Sequence, residues 1–370
     1  MVIDADGHVT EPANLFERYM EAPMRNWMPR TVTINDAAHW LVEGKLLPRP
    51  SGRGVGTSNG FIVTGRKKPA AMKAQNGTLD DVAGRLQDME TRNIDMQIIY
   101  PTTLLGVCFV ENKELAGAMC RSYNNYLAEQ CAKAPDRLKG VASVPLQDPD
   151  EAVRELRRAV QELGFVGAVI PGIVGDRNLD DPAFFPFFEE ADRLNVMVGL
   201  HAVTGAYDTP GQERFQNFFY THVVAMPFNI MIGIMTVVGG GLLERLPNIR
   251  FAFLEVGAGW VPYWAWWMDE NAEVPTRRKH LKEWLPYMKK RPSEYFKNGR
   301  CYFGFEPEED DVSKVAEFVG EGQLVFGSDY PHATDIDWQG VRILRQRQDI
   351  SDTLRQKFFD ENPRKLYGLQ

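Results

Sequence analysis

The 370-residue sequence predicts an α/β protein whose fold is a distorted (β/α)8 TIM barrel with an insertion after strand 1. Two observations lead to this prediction. Eight short apolar segments alternate with stretches of helical periodicity, which is typical of parallel strands joined by crossover helices. Side chains that can bind metals follow strands at both ends of the chain and in its middle, and strand ends of this kind meet at one rim of a barrel. An open doubly wound sheet is the alternative, but its first and last strands would lie too far apart to share an ion.

Each predicted strand is a short apolar run that ends at a proline, a turn or a polar side chain. The eight strands are 2–6, 96–100, 140–144, 166–170, 196–200, 249–254, 301–305 and 324–326. The predicted helical regions are 79–93, 112–133, 148–163, the helix that begins at 181, 212–245 and the stretch from Trp260 onward. Asp-Pro pairs open two of these helices, as an acidic cap followed by an early proline commonly does.

Residues 12–78 interrupt this alternation. They contain Trp27, Trp40 and several prolines, but they form no strand–helix unit. We expect this segment to be an insertion above the barrel mouth, where it acts as a lid over a substrate. The remaining alternation is continuous, so residues 1–370 are predicted to be a single domain.

The composition is that of a soluble globular protein. Hydrophobic residues make up 44% of the chain and charged residues 25%, and the formal net charge is −8. Nucleic acids and anionic membranes require basic surfaces, so neither is expected as a partner. The N-terminus lacks the pattern of a secretory signal, and the four cysteines show no Cys-x-x-Cys spacing. Free thiols in the reducing cytoplasm are therefore expected.

Metal-binding side chains stand at three of the predicted strand ends. Asp6 and His8 end the first strand two residues apart, a spacing that puts both side chains on one face of a strand. His201 follows the fifth strand, and Asp329 follows the eighth. Carboxylates and imidazoles are common ligands of divalent cations. We predict one metal site built from these four residues, and capping or otherwise structural roles are the alternative.

Three acidic or imidazole side chains are candidates for catalysis. Asp329 can ligate a metal and also move a proton, and His332 follows it in the next loop. Glu255 ends the sixth strand and precedes Gly257 and Gly259, which permit close approach of the backbone to a bound group. Glu255 can bind a metal, orient a ligand or act as a base, and a salt-bridged rim acid is an equally good interpretation.

Tyr100, Arg214 and Trp260 are the candidate substrate contacts. An aromatic body with a polar tip and a guanidinium suit an organic acid or an aromatic compound. Two other classes of site are not supported. The one Gly-x-Ser-x-Gly match, at 56–60, follows no predicted strand and so does not form a nucleophile elbow, and no Gly-x-Gly-x-x-Gly motif opens a helix after strand 1.

Taken together, these motifs resemble those of the amidohydrolase-related family. This is the branch of the metal-dependent hydrolase superfamily that contains aminocarboxymuconate-semialdehyde decarboxylase and related aromatic-acid decarboxylases. The segments that carry the resemblance are 4–8, 11–12, 85–89, 135–138, 140–142, 145–149, 200–201, 253–260 and 327–332. Such spread over nearly the whole chain is specific for the family and much less specific for the reaction.

The resemblance implies a distorted barrel that binds one divalent ion, zinc first and otherwise manganese or iron. Asp6 and His8 stand at the family's His-x-His or acid-x-His pair, His201 at its strand-5 histidine and Asp329 at its strand-8 aspartate. Glu255 departs from the pattern, because many members have a histidine after strand 6.

The activity that the resemblance implies is that of a metal-dependent hydrolase or non-oxidative decarboxylase. Its substrate would be a small organic acid or amide, with the metal polarising a carboxylate or carbonyl or activating water. Two alternatives stay open: a subunit of an iron- or manganese-dependent oxygenase, and a non-catalytic partner of a catalytic homologue. A homo-oligomer, or a hetero-oligomer with a homologue, is expected, and the tryptophan cluster at 260–267 is a candidate interface.

Overall fold

A computed structural model of the chain describes residues 1–34, 37–56, 77–202, 210–332 and 339–370. The strands are β1 (Ile3–Val9), β2 (Arg30–Ile34), β3 (Ala37–Val42), β4 (Lys45–Leu47), β5 (Met96–Pro101), β6 (Leu138–Gly140), β7 (Ala142–Ser143), β8 (Gly167–Ile170), β9 (Ile173–Val174), β10 (Arg177–Asn178), β11 (Met197–His201), β12 (Arg250–Leu254), β13 (Cys301–Phe305) and β14 (Leu324–Phe326).

The α-helices are α1 (Leu15–Tyr19), α2 (Val82–Arg92), α3 (Lys113–Cys131), α4 (Pro149–Gln161), α5 (Phe185–Leu194), α6 (Phe218–Gly239), α7 (Leu242–Arg245), α8 (Val261–Glu273), α9 (Pro275–Arg278), α10 (Leu281–Trp284), α11 (Pro292–Phe296), α12 (Val312–Val319), α13 (Gly340–Gln346), α14 (Asp352–Gln356) and α15 (Asn362–Tyr367). Short 3-10 helices cover Ala22–Trp27, Thr103–Phe109, Pro182–Phe184, Gln212–Arg214 and Glu321–Gln323, and a π-helical turn covers Lys357–Glu361.

The parallel strands follow one another around a barrel in chain order. One sheet runs β1-β5-β6, and the other runs β7-β8-β11-β12-β13-β14. β6 and β7 are two halves of one strand position, interrupted at Val141. The ring closes between β1 and the residues after β14, where Asp329 N donates to Asp6 O at 2.9 Å and His8 N donates to Tyr330 O at 2.7 Å. The predicted barrel is therefore confirmed, and its strand bounds differ from the predicted ones by only a few residues.

A β-bulge in β1 sets the direction of Asp6 and His8, the pair predicted to bind a metal. Asp4 pairs with Gln97, but the next pairing is Gly7 with Ile99, so β1 has one extra residue. Before the bulge, Ile3 belongs to the hydrophobic barrel interior, together with side chains of β5. The extra residue reverses the side-chain alternation, and Asp6 and His8 then point into the mouth. The two-residue spacing of Asp6 and His8 is visible in the sequence. The bulge that determines which face of the strand they occupy is not.

Between β1 and β5, the described residues form α1, an antiparallel sheet of β2, β3 and β4, and then α2. Trp40 of this sheet is buried and packs edge-on against Phe16, with ring centroids 4.9 Å apart. Trp27, in contrast, is 63% exposed. Residues 57–76 of the predicted lid lie outside the described part of the chain.

Among the described residues, only α6 is long and apolar enough to cross a membrane. It has 22 residues and no charged side chain, but more than half of its apolar window is buried. Ile230, Ile234 and Val237 are fully buried in the hydrophobic core. α6 therefore packs as a core helix of the layer around the barrel.

Candidate metal centre

Side chains from three strands and the loop after β14 converge at the barrel mouth. His8 Nε2 lies 3.5 Å from Asp6 Oδ1 and 3.4 Å from Asp329 Oδ1. His201 Nε2 lies 3.7 Å from the same Asp6 oxygen. Donor atoms of Asp6, His8 and His201 lie within 4.8 Å of one another, and His8 also shares such a group with Asp329, more than 300 positions away in the sequence.

The donor atoms of this cluster fit a cation. Asp6 Oδ1 and His8 Nε2 are buried and have no hydrogen-bond partner, and His201 Nε2 is buried and faces the Glu255 carboxylate at 2.8 Å. A buried polar atom without a partner costs about 1–3 kcal/mol, so such atoms are rare unless a ligand satisfies them. The histidine Nδ1 atoms donate to the carbonyl oxygens of Pro101 at 2.8 Å and Ala202 at 2.9 Å. These bonds turn each Nε2 lone pair toward the cluster, as in histidines that bind metals.

Glu255 adds a third carboxylate to the cluster. Its Oε2 lies 2.8 Å from His201 Nε2. It can also share an ion with His8, Asp329 and His332, because one donor atom from each of these four lies within 4.8 Å of the others. Glu255 and Asp329 have φ angles of 58° and 51°, in the left-handed region that non-glycine residues rarely adopt. Backbone strain of about 1–3 kcal/mol at each carboxylate is typical of a functional site.

Burial and mutual charge shift the acidities within the cluster. Burial raises the pKa of Asp6 to about 7 and lowers the pKa of His8 to about 3. Burial also acts to lower the pKa of His201, but the charges of Glu255 and Asp6 outweigh it and raise that pKa to about 9. Burial acts to raise the pKa of Glu255, and His201 outweighs it and lowers that pKa to about 2. Without a metal, His201 and Glu255 therefore form a buried ion pair, while His8 is neutral and ready to ligate.

His332 connects Asp329 to the neighbouring strand end. Its Nδ1 lies 2.8 Å from Asp329 Oδ1, and its Nε2 lies 2.7 Å from Thr102 Oγ1. The Thr102 hydroxyl donates to Val9 O at 2.9 Å, so it accepts from the Nε2–H group of His332. The neutral imidazole then has no proton on Nδ1, so its contact with Asp329 Oδ1 becomes a hydrogen bond only when one further proton is taken up between the two atoms.

The three predicted substrate contacts lie in different places. Tyr100 is fully buried beneath the two ligand histidines, and its hydroxyl is hydrogen-bonded to that of Tyr367 at 2.8 Å. Trp260 is half-buried and donates its Nε1–H to Gly257 O at 2.9 Å. Arg214 is exposed on the 3-10 helix that follows residues 203–209, which are outside the described ranges.

Two residues near the mouth received no role in the sequence analysis. Glu11 is buried, and its carboxylate accepts from the main-chain amides of Thr102 at 3.1 Å, Thr103 at 3.0 Å and Leu104 at 3.0 Å. It thereby fixes the loop that presents Thr102 to His332. The Glu-Pro pair that follows strand 1 was the available signal, but it says nothing about which amides the carboxylate binds.

Arg85 is the second such residue. Its guanidinium is fully buried and donates to His8 O at 3.0 and 3.1 Å and to Gln97 Oε1 at 2.8 Å. Gln97 in turn donates to Asp4 Oδ2 at 2.7 Å. This chain of hydrogen bonds holds the backbone of His8, one of the predicted metal ligands. In the sequence, Arg85 is a lone arginine in a predicted helix, and such an arginine usually lies on the surface.

Comparison with known proteins finds that the chain is similar to decarboxylases of the amidohydrolase family. A family model described as amidohydrolase matches residues 3–369. The 2-amino-3-carboxymuconate-6-semialdehyde decarboxylase of Dictyostelium discoideum is 25% identical over 286 residues, which cover 77% of this chain and 76% of that protein. The gamma-resorcylate decarboxylase of Rhodococcus jostii is 31% identical over 211 residues, which cover 53% of this chain and 64% of that protein.

A solved structure shows the same fold. It is the 5-carboxyvanillate decarboxylase of Novosphingobium aromaticivorans, complexed with manganese and 4-hydroxy-3-methoxy-5-nitrobenzoic acid. The match has a TM-score of 0.70 and 20% sequence identity, and it covers 100% of this chain and 96% of that one.

Proposed function

This chain belongs to the amidohydrolase family, and from that premise we propose that it is a metal-dependent non-oxidative decarboxylase of small organic acids, aromatic acids foremost. The observation that carries the proposal is the cluster of buried donor atoms on Asp6, His8 and His201 at the barrel mouth, of which Asp6 Oδ1 and His8 Nε2 have no hydrogen-bond partner. The two relatives are decarboxylases, which supports carboxylate removal over amide hydrolysis. Neither relative supports the alternative of an oxygenase subunit.

Asp6, His8, His201 and Asp329 would hold one divalent ion. When bound, the ion acts as a Lewis acid that binds and polarises an oxygen of the substrate. The sequence predicts zinc first, but a donor set that is half carboxylate suits a harder cation. We therefore propose manganese, the ion in the similar solved structure, with zinc as the competing assignment.

The chain's own residues supply the proton that the reaction requires. In a non-oxidative decarboxylation the carbon–carbon bond breaks, its electron pair stays on the substrate carbon, and a proton replaces the departing carbon dioxide. A proton taken up from solvent between His332 Nδ1 and Asp329 Oδ1, which lie 2.8 Å apart at the mouth, would pass to that carbon. Thr102 accepts from His332 Nε2–H and so holds the imidazole in place. Nδ1 is therefore the nitrogen that gains and loses the proton.

The surroundings of the mouth decide which acid enters. We propose that residues 12–78 act as a lid on a single domain of residues 1–370, and that Trp260 and Arg214 contact the substrate. Tyr100 would pack beneath His8 and His201 rather than contact the substrate, since it is fully buried and its hydroxyl is hydrogen-bonded to that of Tyr367. The cytoplasm is the proposed location.

We also propose that the chain forms a homo-oligomer through the outer faces of α6 and α8. Tyr263, Trp266 and Trp267 are 57%, 50% and 44% exposed, and Trp264 Nε1 donates to Met231 O at 3.0 Å and so joins the two helices. α6 has no charged side chain, so two copies of its outer face meet without charge repulsion.

The proposed oligomer is tested by light scattering. Trp266→Glu should convert the oligomer into monomers, and Trp27→Glu, which changes an exposed tryptophan elsewhere, should not. A wild-type chain that is a monomer until a homologue is added would instead support a hetero-oligomer.

The proposed reaction is tested by carbon dioxide release from 2,6-dihydroxybenzoate, 5-carboxyvanillate and related acids. Protein stripped by a chelator should release none, manganese should restore release, and removal of oxygen should have no effect. A manganese-loaded protein that hydrolyses amides but releases no carbon dioxide from any acid would refute the proposal. A requirement for oxygen would favour the oxygenase alternative.

A further inference from the structure

The loop between β12 and α8 holds Glu255 in an unusual conformation. Glu255 has a φ of 58°, and Gly257 follows with a φ of 64°. The loop is closed by the hydrogen bond from Trp260 Nε1 to Gly257 O, but this bond lies inside the loop itself. A left-handed glutamate persists only where its surroundings determine the backbone on more than one side.

A carboxylate from the next strand end binds this loop from outside. Glu309 accepts from the main-chain amide of Ala258 at 2.9 Å and from that of Gly259 at 3.0 Å. Its other oxygen accepts from the amide of Glu306 at 2.6 Å. One carboxylate thus bridges the loop after β12 and the loop after β13 with charge-assisted hydrogen bonds.

The loop is shaped to receive this carboxylate. A Cβ atom at Gly257 would lie 2.7 Å from Glu309 Oε1, so any side chain there would displace the carboxylate. On its own side, Glu309 is anchored through its carbonyl oxygen, which accepts from Arg347, and the same guanidinium donates to Pro307 O at 2.9 Å. The bridge is therefore fixed at both ends.

We infer that Glu309 is a positioning residue for Glu255 and, through it, for the metal centre. The inference rests on the proposed function in one respect, that the cluster binds a metal. Glu309 is bonded to main-chain amides rather than to the ligand cluster, and it keeps Glu255 Oε2 at 2.8 Å from His201 Nε2. If the bridge is removed, the glutamate can relax to an ordinary φ and its carboxylate leaves the cluster.

A role in capping α8 alone predicts something different. The bridged amides lie just before α8, so a purely structural Glu309 would contribute to stability and leave the ion affinity unchanged. The two roles separate in a double-mutant cycle on ion binding.

The cycle combines Glu309→Gln with Glu255→Gln in the full chain, stripped of metal and titrated with Mn²⁺ alone. Free Mn²⁺ is measured by electron paramagnetic resonance, and thermal unfolding is followed in parallel. We expect Glu309→Gln to weaken Mn²⁺ binding about tenfold, as the loss of an outer-shell partner does. In the Glu255→Gln background it should cause no further loss. Glu308→Gln, which removes the same charge from the exposed neighbour, should leave the affinity unchanged.

Two results would overturn the inference: an unchanged Mn²⁺ affinity in Glu309→Gln, or an equal loss of affinity with and without the Glu255 carboxylate. If Glu309→Gln does not fold, Glu309→Asp replaces it in the same cycle, since its shorter carboxylate keeps the charge and cannot span both loops. No substrate is present in this experiment. A protein that binds Mn²⁺ as expected but releases no carbon dioxide would therefore refute the proposed reaction and leave the role of Glu309 intact.

Discussion

Two aspartates on β1 show how differently one residue type can be used in one strand. Asp4 and Asp6 are both buried. Asp4 accepts from Ser328 N at 2.8 Å, Ser328 Oγ at 2.5 Å and Gln97 Nε2 at 2.7 Å. Asp6 Oδ1 has no hydrogen-bond partner and faces two histidine nitrogens. A buried carboxylate that the protein itself satisfies is structural, and one left unsatisfied marks a place for a ligand.

The two aspartates belong to two adjoining regions. We call the first the seam, which consists of Asp4, Arg85, Gln97 and Ser328 and joins β1 to β5 and to the residues after β14. The second is the ligand cluster at the mouth. The seam fixes the backbone on which the cluster is mounted, because Arg85 donates to the carbonyl oxygen of His8. Changes in the seam should therefore affect mainly stability, and changes in the cluster mainly ion binding and turnover.

Asp6→Asn provides the largest expected effect. The amide keeps the shape but removes a charged ligand, so Mn²⁺ affinity should fall on the order of 100-fold or more, and turnover about 1000-fold, as the loss of several kcal/mol of Lewis-acid stabilisation implies. The unfolding free energy of the metal-free protein should be unchanged or higher, because an unsatisfied buried charge is removed. Ion titration, turnover and urea unfolding check this. Retained affinity would contradict the assigned role of Asp6.

Asp4→Ala should produce the opposite pattern. It leaves Ser328, Gln97 and the buried Arg85 network without their acceptor, so the free energy of unfolding should fall by about 3–5 kcal/mol. Urea unfolding of the metal-free protein measures this loss. A stable Asp4→Ala protein that no longer binds Mn²⁺ would show that the seam and the cluster are a single unit.

Thr102→Val should have a smaller effect, confined to turnover. It removes the hydroxyl that holds His332 Nε2 but leaves all four proposed ligands. We expect the Mn²⁺ affinity to be unchanged and the rate of carbon dioxide release to fall about tenfold. This loss is smaller than the roughly 100-fold or more expected when a general acid is removed altogether. Thr103→Val, next in the chain, is the matched control. Equal loss in both variants would attribute the effect to the loop rather than to the hydrogen bond.

Glu190→Gln tests a third kind of carboxylate, one paired with arginines that reach the solvent. Arg193 and Arg157 lower the pKa of Glu190 from 4.5 to about 2. Since the folded pKa lies below the unfolded one, this pair stabilises the protein above about pH 4.5 and loses its contribution as the pH falls toward 2. Solvent screening by the exposed arginines limits the effect to about 1 kcal/mol at pH 7. Urea unfolding of both proteins at pH 7 and pH 3 should show the difference shrinking.

The sequence predicted the bounds of the strands better than the register in which neighbouring strands pair. The segments 301–305 and 324–326 are apolar runs with clear ends, and both are strands with those bounds. The bulge in β1 depends on its pairing with β5, and that pairing has no local signature. The same limit explains why the sequence could place Tyr100 at the end of a strand, as a candidate substrate contact, but could not show that it lies buried beneath His8 and His201.

The candidate ligands could be grouped from the sequence because strand ends in a barrel share one rim, whatever their distance in sequence. Glu309 could not be found in this way. Its contact with Ala258 spans 51 positions and depends on the exact shapes of two loops. Glu309 stands in an acidic run, Glu306 to Asp311, that is typical of a solvated turn. Nothing in that run indicates the main-chain amides that its carboxylate accepts from.

The closure of the barrel has a consequence for how the enzyme matures. Asp6 and Asp329 come from opposite ends of the polypeptide and are joined by main-chain hydrogen bonds between β1 and the residues after β14. A nascent chain on the ribosome carries the N-terminal ligands early but has no complete coordination sphere until its final strand has emerged. Loading with a divalent ion would then follow synthesis, and the bound ion would hold β1 to the residues after β14.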